Sequence, residues 1–450
     1  MRKIISLLIS LCFTLSVVNA ESLTKTISTL NLNKAAIAVS IKDLNTGDVV
    51  YELNSKTPMN PASTLKIITS SASIDTLGTD YEFSTKLYKS SNNDLYLKLC
   101  ADPFLKTSDL EKLLQMAKDK NILSPKNVYV DSSIFDSVEW GEGWQWDDDL
   151  NILMPKYSAY NLDGNLLKVE VSPNMNNTPA TITTKPFYPI TFMNLVNTDL
   201  TAINNVKFER DNSIAPNVIT ATGVVAKVQS YEIPINNPKM YFKLRLEESI
   251  RDKKIDYFKP ILYSAMPKTK IYSVGEINHD MSDAIIEIYK NSNNMIAETV
   301  FKLAGAKWAN SKGTIENSLG MLNSYLNKLK LNTEDIKIVD GSGVSKDNLM
   351  TADFMTDFLI AKSKSEDFET FKKWLPIPGE GTMKNRMLYF KDILSAKTGT
   401  LSDTSSITGY ITSRKGKTYV FDIMIKDAKT TGADKKNIEE QILRQVYANY

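Results

Sequence analysis

The sequence predicts an α/β (α+β) protein whose main domain is interrupted by a strand-rich insertion. Two observations predict it. Strand-like runs open the folded part of the chain, a hairpin and a helix close it, and helices lie between, so one central antiparallel sheet can join the two ends within a helical cluster. Residues 81–236 change texture and carry short alternating runs that suit half-buried strands. At 450 residues the chain is long enough for a large core and more than one domain.

The elements follow in order. Met1-Arg2-Lys3 is basic, residues 4–18 are almost wholly apolar, and Val18-Asn19-Ala20 offers a small-residue cleavage site before Glu21. This is the pattern of a secretory signal peptide over residues 1–20, so export to the periplasm or cell envelope is expected. "AAIAVSIKDLNTGDVVYEL" reads as two strands joined by a turn at Asn45-Thr46-Gly47-Asp48. An apolar helix begins near Ser63. The strand-rich block follows, with one helix over 108–120, and is read as two small subdomains. From 237 onward the periodicity is helical, with two helices meeting near 291–294. A hairpin around Arg414-Lys415-Gly416 and a last helix complete the chain. The expected organisation is therefore 21–80 and 237–450 as one domain, with 81–236 inserted.

Composition narrows the chemistry. The formal net charge is +2, from 54 basic and 52 acidic residues, which gives no basic surface for nucleic acid. Removal of residues 1–20 takes Cys12 with it and leaves Cys100 alone, so no intramolecular disulfide is expected. Cys100 reads as a buried small hydrophobe rather than a catalytic thiol. The single histidine, His279, excludes His-rich zinc sites and gives a Ser-His-Asp triad only one possible base. Its position before an amphipathic helix suggests a role near that helix N-terminus. No metal or cofactor is expected, and the oligomeric state is left open.

Three short motifs carry chemistry. Ser63-Thr64-Leu65-Lys66 places a lysine three residues after a serine at a helix start, on one helical face. A lysine there is disfavoured by the helix dipole by roughly 0.3–1 kcal/mol, whereas a general base is worth about 10²–10⁴ in rate. Ser292-Asn293-Asn294 sits between two helices and can point a hydroxyl and an amide into a cleft; capping is the alternative. Lys397-Thr398-Gly399-Thr400 precedes the last hairpin on a predicted edge strand. There Lys397 and Thr398 can receive a carboxylate, while Gly399 allows close approach of substrate to the backbone. Each motif alone is weak. In this order they resemble the motif set of serine β-lactamases and penicillin-binding proteins, with Asn293 where many members have aspartate.

With "NPASTLKIITS", "VDSSIFD", "SNNMIAETVFKLAG", "VDGSGVSKDNLMT" and "AKTGTLSDTSSITGYI", the chain resembles the low-molecular-mass class C penicillin-binding proteins. These are D-alanyl-D-alanine carboxypeptidases and endopeptidases with the serine β-lactamase/DD-peptidase-like fold. The long interval between Ser63 and Ser292 is similar to that branch, which inserts extra domains there. The resemblance implies peptidoglycan stem peptides as substrates and β-lactams as covalent inhibitors. It implies Ser63 as nucleophile, Lys66 as its base and Ser292 as a proton relay. Asn294 would position the acyl-side amide, Lys397 would set the electrostatics, and Thr398 would bind the terminal carboxylate. Backbone N–H groups of Ser63 and Thr400 would form the oxyanion hole. Asp149, in "WQWDDDLNIL", would read the stem-peptide side chain, with a solvated turn as the other reading. Lys346 stands where arginine is common in the family, and Ser402 where some members have glutamine. Two other functions stay open: a serine β-lactamase, for which no E-x-x-L-N-type segment is found, and a non-catalytic wall-binding scaffold.

Overall fold

The computed structural model describes residues 23–28, 36–145, 148–210, 215, 217–267 and 270–450. The expected signal peptide and its Ala20/Glu21 cleavage point lie outside these residues. The fold is mixed α/β, and the chain packs as two units. Of the described residues, one unit comprises those up to Thr76, Ile285–Asn293 and Leu319–Tyr450; the other comprises those of Leu77–Ala284 and Asn294–Ser318.

The first unit is built on a five-stranded antiparallel sheet in the order Leu394–Thr400, Thr404–Thr412, Thr418–Lys426, Ile37–Asp43, Val49–Leu53. The early strand Ile37–Asp43 pairs with the late strand Thr418–Lys426, Ile37 opposite Ile425 and Asp43 opposite Tyr419. This is the junction of chain ends that the sequence predicts. Strand period explains the layers. Ile37, Val39 and Ile41 point to one face, where they meet Ile438, Ile442, Leu443 and Val446 of the last helix, Gly432–Asn449. Ala38 and Ser40 point to the other. Ala38 packs with Ala352 and Met59, and the Ser40 hydroxyl lies 2.9 Å from that of Thr356 on helix Ala352–Ser363. Small residues on that face let the helix approach closely. Leu394–Thr400 is an edge strand, as expected, so one side of the Lys397-Thr398-Gly399 motif is not covered by a neighbouring strand.

The second unit holds a five-stranded mixed sheet in the order Leu262–Tyr263, Val128–Asp131, Leu95–Lys98, Glu82–Ser90, Ile271–Asp280, and two three-stranded sheets. The unit reaches beyond residues 81–236 for two reasons. Helix Pro238–Asp252 buries Tyr241, Phe242, Leu246 and Ile250 in the same core as Leu110, Leu113, Leu114 and Ala117 of helix Thr107–Asp119. Strand Ile271–Asp280 runs antiparallel to Glu82–Ser90 along its whole length. Asn237 and Pro238 start the first of these helices, the Asn237 side chain accepting a hydrogen bond from Met240 N at 2.9 Å.

His279 lies in strand Ile271–Asp280, opposite Phe83 and two residues before helix Met281–Lys290. Its Nδ1 is 2.7 Å from the buried Asp102 carboxylate, and Nε2 is 3.8 Å from Asp109. The hydrogen bond to Asp102 holds the imidazole above its ordinary value, against burial, which pushes it down. Burial lifts the Asp102 carboxyl, with His279 opposing. Cys100 is half-buried, and burial pushes its thiol up to about 12, which rules against a thiolate near neutrality.

Because the folded imidazole binds its proton more tightly than the unfolded chain does, the stability it adds is complete below about pH 6.5. It is lost as pH rises through the raised folded value. In urea unfolding, the deficit of His279→Gln against the unaltered protein is expected to be larger near about pH 5.5 than near about pH 9. An equal deficit at both would contradict the pairing.

Candidate active site

The opening motif is wound more tightly than an α-helix. Ala62–Leu65 forms a 3₁₀ turn, and Lys66 is the first residue of the α-helix Lys66–Leu77. Residues three apart eclipse in a 3₁₀ turn, so Ser63 and Lys66 stack more directly than an α-helical face would give. Lys66 Nζ lies 2.9 Å from Ser63 Oγ and donates to the Ser342 carbonyl at 2.6 Å. Lys66 is fully buried, while Ser63 is partly exposed. The hydroxyl is reachable from outside and the amine is not.

The turn is strained and heavily braced. Ala62 has φ +49°, a left-handed conformation that costs a side-chain-bearing residue about 1–3 kcal/mol. Asn60 Oδ1 accepts from Ala62 N at 2.8 Å, and Asn60 Nδ2 donates to the Ser345 carbonyl at 2.9 Å. Ser406 Oγ and Thr64 Oγ1 both donate to the Pro61 carbonyl, at 2.6 and 2.7 Å. The loop that supplies Ser342 is organised by buried Asp340, whose carboxylate accepts from Gly343 N at 2.8 Å, Ser345 N at 2.7 Å and Asn348 Nδ2 at 2.8 Å. Gly343, at φ +78°, sits where a Cβ would lie 2.0 Å from the Ala62 carbonyl oxygen. No larger residue fits there.

Ser292 also adopts a left-handed backbone, φ +58°, at the end of helix Met281–Lys290. Its Oγ accepts from Lys397 Nζ at 2.9 Å, and Lys397 Nζ also donates to the Thr398 carbonyl at 2.8 Å. Lys397 is fully buried in the edge strand. Burial holds its ammonium well below the ordinary lysine value, and the charge of Lys66 adds to this. Two serine–lysine pairs, one within the first motif and one joining the second and third, therefore share one electrostatic environment. Thr398 Oγ1 donates to Thr382 Oγ1 at 2.7 Å.

Of the remaining expected residues in this unit, Thr400 is exposed at the end of the edge strand, opposite Ser405. Ser402 is exposed in the turn that follows, and Lys346 is exposed in the loop after Ser345. Gly399 differs from expectation. A Cβ there would lie 2.3 Å from Ser406 Oγ, 2.9 Å from Ala62 Cβ and 2.9 Å from the Pro61 carbonyl oxygen. The missing side chain makes room for the turn that carries Ser63, where the expected reason is close approach of substrate. Asn294 and Asp149 belong to the second unit. The Asn294 amide donates to the Leu153 carbonyl at 2.8 Å. Asp149 is not a solvated turn residue: it pairs with the buried guanidinium of Arg210 at 2.8 Å.

Asn60, Asp340, Ser342 and Thr382 were not among the expected residues. The Asp-Gly-Ser-Gly cluster at 340–343 was the available signal for two of them, because such clusters mark tight, hydrogen-bonded turns. Among the described residues no group of three or more His, Cys, Asp or Glu side chains is placed to hold a metal ion.

The model of the D-Ala-D-Ala carboxypeptidase 3 (S13) family matches residues 19–448. A D-alanyl-D-alanine carboxypeptidase of Actinomadura sp. (strain R39) is 26% identical over 419 residues, which cover 86% of this chain and 77% of that protein. The crystal structure of penicillin-binding protein 4 from Haemophilus influenzae superposes with a TM-score of 0.83 at 23% identity, covering 96% of this chain and 99% of that one. The same protein complexed with a β-lactam gives 0.78 at 21% identity, covering 95% and 99%.

The Gly399 contact is testable. Gly399→Ala is expected to slow acylation by fluorescent penicillin by about a hundredfold, through displacement of the Ser63 turn, with an unchanged circular dichroism spectrum. Acylation at the unaltered rate would show that the turn tolerates the added methyl group.

Proposed function

Because the chain belongs to the D-Ala-D-Ala carboxypeptidase 3 (S13) family, we propose that Ser63 attacks the D-Ala-D-Ala peptide bond of peptidoglycan stem peptides. The observation that carries this is the Ser63–Lys66 pair: a reachable hydroxyl 2.9 Å from a buried amine that the Ser342 carbonyl holds in place. Uncharged Lys66 takes the hydroxyl proton as Oγ bonds to the carbonyl carbon of the penultimate D-alanine. The backbone N–H groups of Ser63 and Thr400 receive the oxyanion. The C–N bond then breaks. Ser292 Oγ gives its proton to the departing amine and recovers one from Lys397, which lies 2.9 Å away. A water then attacks the ester carbonyl, its hydroxyl staying on the acyl product and its proton passing to Ser63 Oγ as the ester C–O bond breaks; Lys66 releases one proton and Lys397 regains one, which restores the site.

Burial supports the relay. Lys397 yields a proton more readily than an exposed lysine because desolvation and Lys66 both disfavour its charge. Thr398, beside it, offers a hydroxyl for the terminal carboxylate, with Thr382 as its present partner. The same ester forms whether the departing amine is a terminal D-alanine or the cross-linking amine of a neighbouring stem, so carboxypeptidase and endopeptidase reactions use one set of groups. A β-lactam acylates Ser63 by the same attack.

Purified protein is expected to release D-alanine from a pentapeptide stem and to keep a fluorescent penicillin label. Ser63→Ala should do neither, and Lys66→Ala should acylate about 10²–10⁴ slower. A protein that sheds its label within a turnover is a β-lactamase, and one that never takes it is a scaffold.

We infer export from residues 1–20 of the sequence. Sequencing of the mature protein from the cell envelope is expected to begin at Glu21. An intact Met1 on cytoplasmic protein would overturn this.

A further inference from the structure

The second unit encloses a cavity of about 470 Å³ that shares no residue with the three motifs. That volume lies in the range of small-molecule sites. It is formed by the loop after strand Val128–Asp131, the stretch through Tyr160, the first turn of helix Pro238–Asp252, and Lys312. Its wall is rich in hydroxyls. Ser132, Ser133, Ser137 and Ser158 contribute them, and the Tyr160 hydroxyl lies 2.6 Å from Ser132 Oγ.

The charges do not cancel. Asp136 is matched by Lys302, whose ammonium also donates to the Val138 carbonyl at 2.8 Å. Lys239 and Lys312 are exposed and form no ion pair among the described residues. The Lys239 ammonium stands 4.0 Å from the centre of the Tyr263 ring and 5.9 Å from that of Tyr160. The rings hold it in place, and the one nearby lining carboxylate that Lys302 does not already pair, Glu139, is shared between Lys239, Lys156 and Lys302. Opposing them is Glu139, whose carboxyl burial lifts above the usual range, with Lys156, Lys302 and Lys239 pulling it back. A ligand that completes this cavity is therefore anionic and carries several hydroxyl or amide groups.

We propose that the cavity binds a carboxylate-bearing amino sugar of the wall glycan, with the carboxylate on Lys239 and Lys312 and the sugar's polar groups on the serines. The assignment to a wall sugar rests on the proposed peptidoglycan substrate; the anionic, hydroxyl-rich character rests on the cavity alone. Such a site would hold the glycan strand independently of the stem peptide.

The probe is N-acetylmuramic acid, which lacks a stem peptide and offers Ser63 no peptide bond. N-acetylglucosamine, which lacks the lactyl carboxylate, is its control. Isothermal titration of the full chain is expected to show N-acetylmuramic acid binding at least about tenfold more tightly than the control. Lys239→Gln with Lys312→Gln should abolish that difference. Lys239→Arg in place of Lys239→Gln should restore part of it. Penicillin acylation is followed in each variant and is expected to be unchanged. Equal binding of both sugars, no binding of either, or a preference that survives the double substitution would overturn the proposal. If acylation fails in the unaltered protein, the reading of Ser63 falls, and the sugar titration still reports on the cavity.

Discussion

The site depends on two lysine amines held out of water close enough to feel each other's charge. Lys66 and Lys397 are both fully buried. Desolvation and like-charge repulsion act in the same direction on Lys397, against the protonated form. An ammonium in such a place is costly unless hydrogen bonds hold it, and carbonyl oxygens of Ser342 and Thr398 do so. A small shift in the Thr398 carbonyl changes how readily Lys397 gives up its proton. The strained turns at Ala62 and Ser292, the Asp340 loop and the glycine contacts at 343 and 399 all limit such shifts.

The sheet supplies the rigidity that this arrangement needs. Lys397 sits on the outermost strand, where one side of the backbone is unpaired with any neighbouring strand. Its other side is fixed, residue by residue, to Thr404–Thr412. Ser406 on that second strand reaches across to the Pro61 carbonyl and so ties the Ser63 turn to the neighbour of the strand that carries the second lysine. Helix-borne and strand-borne groups are thus aligned by a few contacts rather than by long flexible side chains.

What the sequence reveals and what it hides follow from range. Ser63 and Lys66 are legible because their spacing alone makes them neighbours. The meeting of the chain ends in one antiparallel sheet is legible because strand periodicity is local. The purpose of Gly399 is hidden, because the atoms that exclude a side chain there come from Pro61, Ala62 and Ser406. Asp149 is hidden for the same reason: its partner Arg210 is distant along the chain. Strand Ile271–Asp280 is hidden because its exposed residues are polar and charged, with glycine at 275 and a register shift beside it. The exchange of the chain between units at 284–294 and 318–319 has no signal in composition, since helices lie on both sides of each crossing.

The pairing of Ile37–Asp43 with Thr418–Lys426 has a bearing on biosynthesis. A nascent chain displays its first strand long before the ribosome has made the complementary one, so the central sheet cannot close until translation is nearly finished. Residues 77–284 contain most of the other unit in a single run and can condense earlier. The polypeptide therefore passes most of its synthesis without a closed sheet behind the Ser63 turn, and an abortive product that stops short of residue 418 lacks that strand altogether.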